Sequence, residues 1–169
     1  MANSMTSVGV CGGRVWVRVD GKGCFLNAGA ISTFAAEMLE RGHRRFVVDM
    51  GLCPTMDSTF MGTLAGIALK LQKAVGGGEG AELMLVQVNE RNRELLSGLG
   101  LDHLMRVESG LGDVGAGVQL EALASEGGDK ESRARVMLDA HEACVEANAD
   151  NAVKFKDVLA YLREDLGKA

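Results

Sequence analysis

The chain has 169 residues, a formal net charge of -5, 47% hydrophobic residues and 24% charged residues. This composition is ordinary for a globular protein, and the length allows one domain with an appended segment. The negative charge argues against nonspecific binding to nucleic acid or to anionic membranes. No apolar run approaches the ~20 residues that span a bilayer, and no signal peptide is evident, so we expect a cytoplasmic protein without membrane insertion.

The first forty residues predict a β-hairpin followed by a helix. Val15, Val17 and Val19 alternate with polar residues, and the turn-like residues 20–23 lead to a second apolar run at 24–26. A helix with its start at Asn27 or Ser32 follows, and Gly42 is placed to end it.

The centre of the chain predicts a buried strand that leads into a helix. Residues 45–50 are apolar and β-branched, and residues 51–56 have turn chemistry around the single proline. Asp57 and Ser58 suit a helix N-terminus, since short polar side chains there accept hydrogen bonds from free backbone amides. Large apolar residues then recur at helical spacing and predict one buried face: Phe60, Met61, Leu64, Ile67, Ala68 and Leu71.

The opposite face of this predicted helix carries little side-chain bulk. It contains Thr59, Gly62, Thr63, Gly66, Lys70 and Lys73. Each interior glycine costs about 1 kcal/mol relative to alanine, so the two glycines need a packing partner that explains them. Two explanations are open: another part of the same chain packs closely over them, or a second protein docks there.

Further strands and short helices follow. Residues 76–80 predict a flexible glycine-rich loop, residues 82–88 a buried strand, Asn89 or Glu90 a helix start, and residues 104–107 a short strand. The alternation predicts an α/β fold with a mixed β-sheet and helices packed on one face.

The last third of the chain has a different composition. Residues 109–132 are rich in glycine and predict a linker, and residues 133–169 predict helices, interrupted at 148–151. The apolar stripe of these helices must be buried against the chain's own domain, a second copy of the chain, or another protein.

The strand, the proline-containing turn, Asp57-Ser58-Thr59 and the small-faced helix together resemble the STAS domain of anti-sigma factor antagonists. The family pattern is Asp-Ser-Ser/Thr-Gly-apolar-Gly, in which the second hydroxyl is the phosphoacceptor. Thr59 matches that position, while Phe60 replaces the first glycine of the pattern. The resemblance implies a STAS-like domain over residues 1–108, followed by the linker at 109–132 and a C-terminal helical extension over 133–169.

The resemblance also implies a function. The chain would be a bacterial phosphoprotein of signal transduction and transcription regulation, an anti-sigma factor antagonist that binds an anti-sigma factor or a serine kinase of the ATP-binding type. Phosphate on Thr59, or on Ser58, would switch binding off. The predicted partner-binding residues are Asp57, Phe60, Gly62, Thr63, Gly66 and Lys70.

Two alternatives to this function are open. One is a phosphorylation-independent STAS scaffold or adaptor in a signalling or lipid-transport complex, with Phe60 in a permanent interface. A homodimer through the C-terminal helices is compatible with both the antagonist and the scaffold. The other alternative is an enzyme that uses Ser58 or Thr59 as its nucleophile, and a histidine within hydrogen-bond reach would favour it.

Catalytic sequence motifs are nevertheless missing. Neither a Gly-x-Ser-x-Gly elbow nor a phosphate-binding loop is present, so we predict a binding protein with no catalytic residues and no cofactor. The cysteines and histidines lack metal-ligand spacing, so we predict no metal site and no structural disulfide. These residues are Cys11, Cys24, Cys53, Cys144, His43, His103 and His141.

Overall fold

The structure is a computed structural model that describes residues 4–74, 80–111, 118–124 and 128–167. Within these residues, six strands form one sheet in the order β5-β4-β3-β2-β1-β6. The strands are β1 (Met5–Cys11), β2 (Arg14–Asp20), β3 (Arg45–Leu52), β4 (Glu82–Val86), β5 (Arg106–Val107) and β6 (Glu121–Leu123). The helices are α1 (Phe25–Glu40), α2 (Ser58–Ala74), α3 (Glu90–Gly98), α4 (Lys130–Ala147), α5 (Asn151–Lys154) and α6 (Lys156–Gly167). The predicted mixed α/β fold with C-terminal helices is therefore confirmed.

Strand direction places the beginnings of two helices side by side. β1 pairs antiparallel with β2 and β6, whereas β2, β3, β4 and β5 run parallel to one another. The chain leaves the carboxyl end of β2 to begin α1 and the carboxyl end of β3 to begin α2. Because β2 and β3 are neighbours, both helix N-termini lie at the same edge of the sheet.

The two faces of the sheet are buried in different ways. One face carries Val15, Val17 and Val48 against the helices, in a core that also contains residues of α1, α2, α3 and α4. Trp16, Val47, Met84 and Val86 form a smaller cluster on the other face, where Val118 and Leu120 pack against them. The segment after β5 therefore contributes to covering the face that carries Trp16.

The predicted hairpin at residues 14–26 is wrong. β2 pairs with β1 through a turn at Gly12 and Gly13, both of which have positive φ, and residues 24–26 belong to the start of α1. Cys24 is the N-cap of that helix, and the Asn27 side chain accepts a hydrogen bond from the Cys24 amide. The short apolar run was therefore a first helical turn, which periodicity over three residues cannot separate from a strand.

The predicted linker contains structure that the sequence analysis missed. β6 lies within residues 109–132 and pairs with β1, and α4 begins at Lys130. Residues 112–117 and 125–127 of the linker, and 75–79 in the predicted glycine-rich loop, lie outside the described residues. The division of the chain into domain, linker and extension stays a prediction.

The C-terminal helices pack on their own chain. α4 lies against α1 and α2, and α6 packs against α4. Four buried residues form a separate cluster between α4 and α6: Ala134, Leu138, Leu159 and Leu162. Of the three burial options for the apolar stripe, the structure shows docking on the chain's own domain.

Candidate functional site

Asp57 joins the N-termini of two helices. Its Oδ1 accepts a hydrogen bond from the Phe60 amide at 2.8 Å, which caps α2. Its Oδ2 accepts one from the Phe25 amide at 3.2 Å, at the first residue of α1. Asp57 is therefore the helix cap that the sequence predicted, and it also fixes the start of α1 beside the start of α2.

Ser58, the first residue of α2, is hydrogen-bonded to a histidine of α4. Ser58 Oγ lies 2.9 Å from His141 Nε2, and His141 Nδ1 lies 2.6 Å from the carbonyl oxygen of Met137. A carbonyl can only accept, so Nδ1 carries a proton, and in the neutral ring Nε2 accepts from the Ser58 hydroxyl. The His141 ring is buried and contacts the Phe155 ring edge to face at 4.8 Å between centroids.

The small face of α2 is covered by α4. Thr59 is only 5% exposed, and Thr63 is also buried, with its hydroxyl donating to the Thr59 carbonyl. A Cβ on Gly62 would collide with the backbone carbonyl of Ala140, and one on Gly66 would lie 3.7 Å from Ala143 Cβ. The two glycines therefore allow close approach of a helix from the same chain, one of the two explanations that the sequence left open.

The side chain of Phe60 is buried, which corrects the prediction that it contacts a partner. Its side chain is 0% exposed and belongs to the main core. The ring fills space beside Gly23, where an added Cβ would lie 2.8 Å from Phe60 Cδ1. The ring therefore adds no bulk at the surface next to Thr59, and Phe60 cannot form the permanent interface of the scaffold alternative.

The two lysines of the predicted face mark the end of the covered region. Lys70 is exposed, whereas Lys73 forms a 2.7 Å ion pair with Glu146 of α4. Both lysines line an open groove of about 510 Å³ that also contains Asp139, Glu142 and Arg163. Lys70 is the one predicted partner-binding residue of this helix whose side chain is largely accessible to solvent.

A group of exposed apolar side chains surrounds the capped helix starts. Leu26 and Leu52 are 59% and 56% exposed, and Phe25 is also exposed. Backbone hydrogen bonds join the segment that leads into α1 to the end of β3 and the loop after it, from Gly21 N to Leu52 O and from Gly23 N to Thr55 O. We call Phe25, Leu26 and Leu52 the apolar rim.

A second cavity opens next to Ser58. It has a volume of about 400 Å³ and lies between α2, α3 and the loop before α6. Its walls are mostly apolar, with one arginine and one glutamate: Ser58, Met61, Arg91, Glu94, Leu95, Gly98, Leu99 and Phe155. Phe155 lies between α5 and α6, so the C-terminal helices contribute to a cavity that α2 and α3 otherwise form.

Three of the four free cysteines are buried, and only Cys11 is exposed. Burial raises the pKa of the Cys144 thiol to about 11. Burial also raises the pKa of Cys53, although hydrogen bonds with the backbone of Gly23 and Thr55 oppose this effect. These two thiols therefore stay protonated and shielded in the folded chain at neutral pH.

The described residues show neither a metal cluster nor a membrane span. Those residues contain no group of three or more His, Cys, Asp or Glu side chains that could hold a metal ion. None of their helices combines the length and apolar character needed to cross a bilayer.

Sequence reasoning missed His141 and the apolar rim. His141 lies 83 residues after Ser58, so no local spacing connects the two. Leu52 ends a strand, and Phe25 and Leu26 begin a helix, where a short apolar run gives no signal of exposure. The exposure of these three side chains follows only from how the start of α1 packs beside the end of β3.

The STAS domain family model matches residues 6–114, which include β1 to β5 and helices α1 to α3. The chain therefore belongs to the STAS domain family. No curated protein matches the sequence significantly.

Solved structures agree with the fold. A crystal structure of TM1081, a candidate anti-sigma factor antagonist from Thermotoga maritima, aligns with a TM-score of 0.53 and 18% identity, covering 62% of this chain and 86% of that chain. An NMR structure of TM1081 aligns with a TM-score of 0.55 and 17% identity, covering 66% and 86%. At this identity the likeness concerns the fold alone.

Proposed function

We propose that this chain is an anti-sigma factor antagonist, a binding module that recognises an anti-sigma factor through the shared start of α1 and α2. The observation that carries the proposal is the apolar rim beside Asp57 and Ser58 in a STAS fold. Exposed apolar side chains next to a capped helix start offer a protein partner both buried area and hydrogen-bonding groups. The partner in this proposal is an anti-sigma factor that is also a serine kinase of the ATP-binding type.

Phosphorylation at the start of α2 would be the off-switch. A phosphate adds about -1.5 to -2 charges and three acceptor oxygens to a surface that must lie flush against the partner. The α2 N-terminus itself favours an anion through its free amides and dipole, whereas phosphorylation of the buried Thr59 requires α4 to move away from α2. Thr59 is the family-matched acceptor and Ser58 the second candidate.

The test measures binding to purified anti-sigma factors of the source organism, one at a time, by calorimetry. Leu26→Asp and Leu52→Asp should each weaken binding at least tenfold, because a charge would be buried in the interface. Val10→Asp is the matched control, since Val10 is 51% exposed and lies at the opposite end of the sheet. Equal binding by all three variants would show that the apolar rim is not part of the interface.

The modification is tested separately. Intact and peptide mass spectrometry of the protein from its native cells should detect phosphate on Thr59 or Ser58. Rim-dependent binding without modification under any growth or stress condition would favour the phosphorylation-independent scaffold. A homodimer through the C-terminal helices would appear as a doubled mass in solution scattering.

The Ser58–His141 hydrogen bond supports a second candidate function, a serine acyl hydrolase. Ser58 Oγ would attack an ester carbonyl, His141 Nε2 would take the proton, and the leaving alcohol would receive it before water releases the acyl group. The adjacent cavity has a size suited to a small acyl group. Against this function, His141 is oriented by a backbone carbonyl rather than a carboxylate, and its ring is buried.

A fluorophosphonate probe distinguishes the two candidates. Labelling of wild type that Ser58→Ala and His141→Ala both abolish would support the hydrolase, whereas the binding module predicts no covalent labelling.

A further inference from the structure

The helices α4–α6 have the organisation of a separable unit. Their buried cluster of Ala134, Leu138, Leu159 and Leu162 lies between α4 and α6 and is separate from the core under the sheet, although Phe155 packs against both. These helices lie beyond the residues that match the STAS family model, which end at 114. A helical unit with its own apolar cluster can leave the domain without losing its internal packing.

Exposing the α2 face that α4 covers costs little hydrophobic free energy. On α2, Gly62 and Gly66 lie directly against α4, the buried Thr59 and Thr63 share the same helix face, and none of these four residues has a large apolar side chain. The free energy of exposure scales with apolar area, at about 25 cal/mol per Å², so these residues add little. The apolar contribution comes from the helical unit, where Ala143 and Cys144 join the main core and Ala147 and Phe155 pack against it.

The polar contacts that hold the unit are of two kinds, buried and exposed. The fully buried Asn151 donates from Nδ2 to the Leu99 carbonyl at 2.9 Å. Ser58 bonds to His141, and the Lys73–Glu146 ion pair is more than half exposed on both sides. Lys154 Nζ donates to the Gly98 carbonyl at the C-terminus of α3. Exposed ion pairs contribute little net stability.

We propose that α4–α6 form a lid that opens as one unit while the sheet domain stays folded, and that the small face of α2, including Thr59, is accessible only when the lid is open. The lid would then compete with any partner or kinase that needs this face. This regulatory consequence rests on the proposed function, whereas the opening itself does not.

The native cysteines allow a test on the unmodified chain. Cys144 is on the lid, in α4, with its side chain buried in the main core, Cys53 is buried in the sheet domain, and Cys11 is exposed. In native buffer, a thiol reagent such as iodoacetamide should modify Cys11 first and Cys144 at least tenfold faster than Cys53, measured by peptide mass spectrometry. Equal rates for Cys144 and Cys53 would overturn the proposal, because they would show that the helices leave only in global unfolding.

A designed disulfide provides the second arm. The Cβ position at Gly66 lies 3.7 Å from Ala143 Cβ, within the range that a disulfide spans, so Gly66→Cys with Ala143→Cys should lock the lid. Oxidation, with the 66–143 pairing verified by peptide mapping, should lower Cys144 labelling to the Cys53 rate, and reduction should restore it. Gly66→Cys alone is the control and should respond to neither treatment.

The same locked variant tests lid opening and the proposed function independently. If both hold, oxidation lowers phosphorylation of Thr59 by a purified anti-sigma factor kinase at least tenfold. If the proposed function fails, that kinase acts on neither form, while the labelling ratio still reports opening. Undiminished phosphorylation of Thr59 in the oxidised form would overturn the masking role.

Discussion

At the scale of single residues, Asp57 has two structural duties. Its carboxylate accepts one hydrogen bond from the Phe60 amide, which caps α2, and another from the Phe25 amide of α1. Asp57 therefore aligns the two helix starts on which the apolar rim depends. Its stabilising role is therefore independent of any phosphorylation chemistry.

Asp57→Ala should lower the free energy of unfolding by about 2 kcal/mol, because each lost helix cap costs about 1 kcal/mol. Asp57→Asn should cost less, since its single carbonyl oxygen can still cap one helix. Urea denaturation measures both effects. Asp129→Ala is the control because Asp129 caps only α4, through the Ser132 amide, and a loss as large as that of Asp57→Ala would contradict the double cap.

Phe60 illustrates what residue-level reasoning could and could not predict. Its spacing with Leu64, Ile67 and Leu71 correctly indicated a buried face, whereas its place in the motif indicated a surface position. The periodicity was the physical signal, and the motif position carried no information on where the ring points. Its complement, Gly23, is far away in sequence and could not be identified from it.

At the scale of secondary-structure elements, the strand β3 and helix α2 were predictable because strong periodicity and capping residues coincide there. β6 was not, since its three residues gain their structure from pairing with β1 rather than from their own propensity. The position of α4 on α2 was equally unpredictable, because the stripe of small residues fits a helix from any source.

Alanine substitutions at Gly62 and Gly66 test how closely α4 packs on α2. Gly62→Ala should lower the unfolding free energy by about 1–3 kcal/mol, because its Cβ meets the backbone of Ala140, which cannot move unless α4 moves. Gly66→Ala should be neutral or stabilising by up to about 1 kcal/mol, since its Cβ makes an ordinary contact with Ala143 and alanine favours the helix. Urea unfolding of both variants measures the difference, and equal losses would contradict this packing geometry.

At the scale of the whole molecule, the buried thiol of Cys144 couples stability to alkaline pH. Its pKa is raised from 9.0 to about 11 in the folded chain, so the folded state holds its proton where the unfolded state has lost it. The resulting stability is fully present below pH 9 and is lost as pH rises through 11, with a decrease of about 2 kcal/mol by pH 11.

Denaturation of wild type and Cys144→Ala across pH 8 to 11 isolates this effect. Other groups titrate in the same range, so the comparison is between the pH slopes of the two proteins rather than their absolute stabilities. The alanine variant should lose about 2 kcal/mol less over this interval, and identical slopes would show that the thiol does not couple stability to pH.

The short outer strands of the sheet also determine how copies of the molecule meet one another in concentrated solution. β5 has two residues and β6 has three, so neither edge offers a long ladder of unpaired backbone groups to a neighbouring chain. β6 lies along Thr6, Ser7 and Val8 of the seven-residue β1, which would otherwise be the exposed edge. The few residues that add β6 therefore protect the protein from edge-to-edge aggregation, and an internal deletion of them would be expected to lower solubility even if every helix remained folded.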